Sequence, residues 1–148
     1  MRNYAIAFCL SLVAFNAHSQ DQADSTLTVE EIQFRDSIAA LNVLSLELQK
    51  IQETYNSATE AFSSSDFTQA VRLFGEVIDL DSTNGDAYYN KGLAHKELKQ
   101  YDLAIDALSM AFNIDSNNTD AIFHQAKCFY GKEDIENTLV TYDQLLTI

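Results

Sequence analysis

The sequence predicts an all-α protein: an α-solenoid of three helix–turn–helix repeats preceded by an N-terminal helix. Three observations carry this. Apolar and small residues recur at helical spacing, in blocks of about a dozen separated by short polar bends. The blocks repeat every 34 residues without a gap. From Thr28 to Phe62 no glycine or proline intervenes, so one long helical stripe leads into the first block.

The stretch Gly85–Asn118 organises the rest. Tyr88, Gly92, His95 and Leu98 mark one helix, and Ala104, Leu108, Ala111 and Phe112 a second. Lys99-Gln100 bends the chain between them, and Asp115-Ser116-Asn117-Asn118 closes the pair. One such hairpin cannot bury its own apolar face, so copies must lie beside it. Shifted by the period, Tyr55, Tyr89 and Phe123 align, as do Ala58, Gly92 and Ala126, and Phe67, Tyr101 and Ile135. Ala70, Ala104 and Thr138 match, then Phe74, Leu108 and Tyr142, then Leu80, Ile114 and Ile148. The turns repeat too: Asp81 with Asp115, Asn84 with Asn118, Asp86 with Asp120. This sets repeats at 51–84, 85–118 and 119–148.

In order along the chain, residues 1–19 have the layout of a secretory signal peptide. Met1-Arg2 is a short positive start, Tyr4–Ala17 an apolar run of about 14 residues, and Ala17-His18-Ser19 offers small residues for cleavage after about Ser19. The run is below the roughly 20 residues that span a bilayer, and an uncleaved signal anchor is the alternative. The expected location is therefore the periplasm or cell envelope. Residues 20–27 are polar and are expected to be a disordered linker. Thr28 with Glu31 is a capping-box signal opening an N-terminal helix over 28–50. Phe34, Ile38, Leu41, Leu44, Leu48, Ile51, Tyr55, Ala58 and Phe62 step by threes and fours, close to a heptad seam. Glu47-Leu48-Gln49-Lys50 are good helix formers where a repeat boundary would want a turn. Two readings stay open: one helix running into the first repeat, or a capping helix that bends near Lys50. Coiled-coil pairing through this seam is a further alternative. Within the repeats, bends are expected at Ser63–Asp66, Asp81–Gly85, Asp115–Thr119 and Gly131–Asp134. Leu139, Val140, Leu146 and Ile148 are expected to leave an apolar edge, which favours association.

The 34-residue helix–turn–helix unit resembles the tetratricopeptide repeat over residues 51–148. Tyr88 stands where that family has its large first aromatic, Gly92 at the close helix approach, and Tyr101 and Ala104 at the mid-repeat aromatic and alanine. Leu108 and Ala111 match the packing pair of the second helix. The family's closing proline is Ser82 and Ser116 here, and its early leucine is Ser57, Lys91 and Gln125. The resemblance implies a concave face lined by the first helix of each repeat. The residues falling there are Gln52, Tyr55, Thr59 and Phe62, then Asp86, Tyr89, Asn90, Leu93 and Lys96, then Asp120, Phe123, Lys127 and Tyr130. Tyr55, Tyr89 and Phe123 would form an aromatic row, either anchoring a partner or only filling space between helices. The family's best-known groove grips carboxylates with lysine, arginine and asparagine. Only Asn90 fits that clamp, since Tyr55, Thr59, Asp120 and His124 stand at its other places. A peptide with apolar anchors is expected instead.

Bulk properties narrow the partner. The chain carries 9 basic and 22 acidic residues, net −13, and loss of Arg2 with the leader makes it −14. Nucleic acid and anionic membrane surfaces are excluded as expected partners, because both need clustered Lys and Arg. Cys9 leaves with the leader and Cys128 is then alone, expected as a small buried residue. His95 falls at a packed repeat position. Asp120, His124 and Cys128 line one helical face, but two of them at most would reach one zinc ion. No phosphate loop, nucleophile–base pair or carboxylate pair stands out, so no catalytic residue, metal or cofactor is expected. The expectation is an exported protein–protein interaction module that is not an enzyme. The alternative is a structural homo-oligomer joined through the N-terminal helix or the C-terminal edge.

Overall fold

A computed structural model describes residues 28–147 of the chain. The expected leader, the polar linker and Ile148 lie outside the described residues. Among the described residues there are six helices and no strand: α1 (Val29–Ser63), α2 (Phe67–Leu80), α3 (Gly85–Glu97), α4 (Tyr101–Ile114), α5 (Thr119–Gly131) and α6 (Ile135–Thr147). None is long and apolar enough to cross a membrane.

Helix α1 starts on the expected capping box. Thr28 N–H donates to Glu31 Oε2 at 2.8 Å, and Glu31 N–H donates back to Thr28 Oγ1 at 3.3 Å. The bond from the Thr28 N–H, and then that from its hydroxyl, hold the Glu31 carboxyl below its ordinary pKa. Past Lys50 the helix continues unbroken to Ser63, which decides the question the sequence left open. The described residues nonetheless divide into two units, on either side of Leu44–Ser45 within α1.

The bends are built on one plan. Ser65, Lys99 and Glu133, spaced by the repeat, each adopt positive φ (65°, 58° and 62°). The next N–H in each case reaches back over the helix end: Asp66 to Ala61 O at 2.9 Å, Gln100 to His95 O at 2.9 Å, Asp134 to Phe129 O at 3.0 Å. Side-chain caps then open two of the three following helices. Asp66 accepts from Gln69 N–H, and Asp134 from Asn137 N–H. Between repeats, Asp81 and Asp115 each fold over the chain, accepting from the N–H of Thr83 and Asn117 at 3.0 Å. Asn84 and Asn118 then cap α3 and α5 through the N–H of Ala87 and Ala121. The positions of the missing proline, Ser82 and Ser116, lie inside these side-chain-closed turns.

The core is made of small residues. Ala58, Ala61, Ala70, Phe74, Val77, Ala87 and Ala94 join the end of α1 to α2 and α3. Ala104, Leu108, Ala111, Ala121 and Cys128 join α4 to α5, with Tyr88, Tyr89 and Tyr101 against them. Crossings are close where glycine sits. A Cβ added at Gly92 would lie 2.7 Å from Leu108 Cγ and 3.2 Å from Ala104 O. One added at Gly131 would lie 2.7 Å from the Tyr101 ring, so this bend residue also seats that ring, a role its sequence context does not indicate. In the third repeat Thr138 and Thr141 fill buried places. Each satisfies its hydroxyl on the carbonyl four residues back, Asp134 O at 2.6 Å and Asn137 O at 2.7 Å. Leu139, Val140 and Leu146 of α6 are exposed.

Two helical glycines give opposite expectations. At Gly75 an added Cβ meets only Lys91 Nζ, at an ordinary 3.5 Å. Gly75→Ala should therefore stabilise by up to about 1 kcal/mol through helix propensity. Gly92→Ala should lose about 1–3 kcal/mol by overpacking. Urea denaturation measures both, and equal gains at the two sites would refute the tight crossing at Gly92.

Candidate functional site

The residues expected on the first-helix face sit on the odd-numbered helices. Tyr55, Thr59 and Phe62 are on α1, Tyr89, Asn90, Leu93 and Lys96 on α3, and Phe123, Lys127 and Tyr130 on α5. None is fully buried. The helices stand side by side, and one contact recurs between them. Asn90 Nδ2 donates to the Tyr55 hydroxyl at 2.9 Å, and the Tyr89 ring lies 5.9 Å from the His124 ring. Both pairs are 35 residues apart, so each tyrosine leans on the residue just past its own counterpart in the next repeat. Phe123, third in the row, instead has Tyr142 of α6 at 6.3 Å.

The aromatic row fills space between the helices without being closed off by them. Tyr55 packs edge-on against Phe74 at 5.6 Å, and Tyr89 joins the second core cluster, yet each stays half-buried rather than enclosed. Exposure rises along the row from part-buried Tyr55 and Tyr89 to Phe123, which is 38% exposed, and Tyr130, outside the row on the same helix as Phe123, is 68% exposed. Lys127 lays its ammonium 5.3 Å from the Phe123 ring centre. Phe62 turns inward to Phe67, ring centres 5.3 Å apart, and so belongs more to the hairpin than to the face. The Thr59 hydroxyl is returned to Tyr55 O at 2.9 Å. Leu93 and Lys96 are partly exposed, and Lys96 pairs with Glu97 at 3.1 Å.

Electrostatics repeats with the geometry. Burial, and then the Asp86 carboxylate, push the Tyr55 phenol above its ordinary pKa. Burial and then Asp120 do the same to Tyr89. The His124 ring is held below the usual imidazole range, first by burial and then by Lys96 and Lys127, with Asp120 and Glu97 pulling the other way. It is therefore neutral at pH 7, and its buried Nδ1 makes no hydrogen bond. From sequence, His124 is legible as a residue beside Asp120 and Cys128 and at a place of the carboxylate clamp, but not as the neighbour of Tyr89. The 35-residue offset from Tyr89, the same as between Tyr55 and Asn90, is the signal that could have found it.

Asn90 is already committed. Its Nδ2 donates both to the Tyr55 hydroxyl and to Asp86 O at 2.9 Å, which uses the two N–H bonds the amide has. His95 is buried, with Nδ1 2.7 Å from Gln100 Oε1, the satisfied core histidine expected. Cys128 is fully buried, and burial pushes its thiol up to about 11. Among the described residues no three His, Cys, Asp or Glu side chains are placed to hold one metal ion. A depression of about 200 Å³ lies elsewhere, lined by Lys50, Thr54, Glu76, Asp79 and Leu80 and by none of the expected residues.

Comparisons with known proteins bear on the repeat and the fold. The family model for the tetratricopeptide repeat matches residues 85–118. The mouse DnaJ homolog subfamily C member 7 is 24% identical over 112 residues, which is 73% of this chain and 22% of that protein. The chain thus spans less than a third of the length of the curated relatives it matches. Among solved structures, the TPR2B domain of yeast Sti1 in a complex with an Hsp70 peptide superposes with a TM-score of 0.64 at 25% identity. It covers 67% of this chain and 79% of that one. PcrH, in complex with the chaperone binding region of PopD, superposes at 0.63 and 18% identity, covering 66% and 73%. With the period, the paired helices and the close crossing at Gly92 in place, residues 85–118 are a tetratricopeptide repeat, and the chain has the fold of tetratricopeptide-repeat domains.

Proposed function

We propose that this chain is an exported interaction module, not an enzyme, and that its odd-helix face binds a peptide or protein segment. The observation that carries the reading is the row Tyr55, Tyr89 and Phe123, presented at one place on three adjacent helices and left part-exposed. Rigid aromatics give large contact area at little entropic cost. The peptide complexes of proteins with the same fold support it. The segment bound is anchored by apolar side chains. A carboxylate clamp is not the mode, because Asn90 has no N–H to spare and Asp120 would repel the ligand. With a net charge of −13, nucleic acid is not its partner.

Peptides selected from a displayed library on residues 20–148 test this. Phe123→Ala and Tyr130→Ala should each weaken the best peptide by about 2 kcal/mol, as hot-spot anchors do. Leu103→Ala, at an exposed residue of the even helix α4, should leave binding unchanged. Equal effects at all three sites would end the groove reading.

A second reading rests on α1. Phe34, Leu41, Leu44 and Leu48 are each more than half exposed and follow the heptad spacing. On that reading two copies pair through this seam. Sedimentation should then give a dimer that Leu41→Lys with Leu48→Lys returns to monomer, and a monomer at every concentration would remove it. Export rests on the leader-like sequence of residues 1–19. Mass spectrometry of the native protein should find a mature end near Gln20, and intact Met1 would contradict it.

A further inference from the structure

The charges on the odd-helix face are sorted along the helix axes. Asp86 and Asp120 occupy the first turns of α3 and α5. Lys96 and Lys127 lie towards the other ends of the same two helices. Two lysines brought to one end of neighbouring helices stand out in a chain of 9 basic and 22 acidic residues. Lys96 and Lys127 both act on the His124 ring, as do Asp120 and Glu97 with opposite sign. Three other cations of the repeats are engaged elsewhere: Arg72 with Glu76, Lys132 with Asp102, and Lys91 towards α2 beside Gly75. Lys96 keeps one neighbour, Glu97, and Lys127 lies on the Phe123 ring.

From these positions we propose that the face takes a segment of mixed charge: a basic side chain beside Asp86 and Asp120, an acidic one beside Lys96 and Lys127, and an apolar residue between them on Tyr89 and Phe123. The proposal rests on the groove reading above and specifies its partner. Spacing follows from the helix rise of about 1.5 Å per residue, which sets Asp120 and Lys127 about 10 Å apart and Asp86 and Lys96 about 15 Å apart along their helices. An extended segment advances about 3.3 Å per residue, so its two charges fall about three to five positions apart. Uniformly acidic segments meet Asp86 and Asp120, and uniformly basic ones meet the lysines. Either pattern leaves one end of the face repelled.

The test takes the library-selected peptide, acetylated and amidated, in three forms with Arg and Glu, two Glu, or two Arg flanking the apolar anchor. Fluorescence anisotropy at low salt should find the mixed form about three- to tenfold tighter than the others, with the margin shrinking as salt is added. Lys127→Glu should move the preference to the doubly basic form, and Asp120→Lys to the doubly acidic form. Circular dichroism checks that both variants are folded. If the three forms bind alike and neither variant changes the order, the charge pattern is refuted. In that case Phe123→Ala still decides the groove reading separately. If the library yields no binder, both proposals fall together.

Discussion

Alanine and glycine set the distance between the helices of this protein, and most of the structure follows from that distance. Ten of the fifteen buried apolar residues among those described are alanines. Side chains this small let helices approach until backbone and Cβ atoms touch, as Gly92 shows against Leu108 and Ala104. Little volume then remains between helices for large rings. Phe74 and Leu108 are the large exceptions that fit fully inside. The tyrosines must lie along the flanks of the contacts, covered on one side by the next helix and open on the other. A close-packed solenoid of this composition thus produces a half-exposed aromatic row as a consequence of its packing.

The turns show a second economy. A non-glycine residue in the left-handed region costs roughly 1–2 kcal/mol, yet Ser65, Lys99 and Glu133 all accept it. What the conformation gains is a hydrogen bond from the following N–H back across the helix end, made three times with nearly the same length. The inter-repeat turns lack the proline usual in the family, and Asp81 and Asp115 replace it with side-chain bonds to the backbone. Those bonds hold the Asp81 carboxyl below its ordinary pKa, the hydrogen bonds from Thr83 being the leading cause. Such a turn is closed above the carboxylate range of pH and loosens as the group takes up a proton.

How much could be read from the sequence depended on whether the signal was periodic. Pairs such as Tyr55 with Tyr89, or Ala58 with Gly92, are visible because stacking forces the same size of side chain at each repeat. The Thr28–Glu31 cap was visible because it is local, and α1 ran on through Lys50 because every residue there favours helix. The left-handed residues were not visible, since no glycine marks them. The seat of the Tyr101 ring on Gly131 was hidden because it joins residues 30 apart, off the main register. The role of His124 was hidden for a similar reason: it faces Tyr89, one residue beyond the alignment of like with like.

That off-by-one register also explains why the face differs chemically from a carboxylate-gripping one. The residue one past the aromatic row is where an asparagine amide would present its N–H groups to a ligand. Here Asn90 spends both on Tyr55 and on its own helix, so the amide becomes part of the scaffold. In the next repeat the same place holds His124, neutral and flanked by aromatic rings. Hydrogen-bond donors that have been used for helix-to-helix contact cannot also serve a ligand, because each N–H has one strong partner at a time. The groups left free to discriminate are the rings themselves and the charges at either end of them. On the groove reading proposed above, selectivity would then rest mainly on apolar fit and on charge placement.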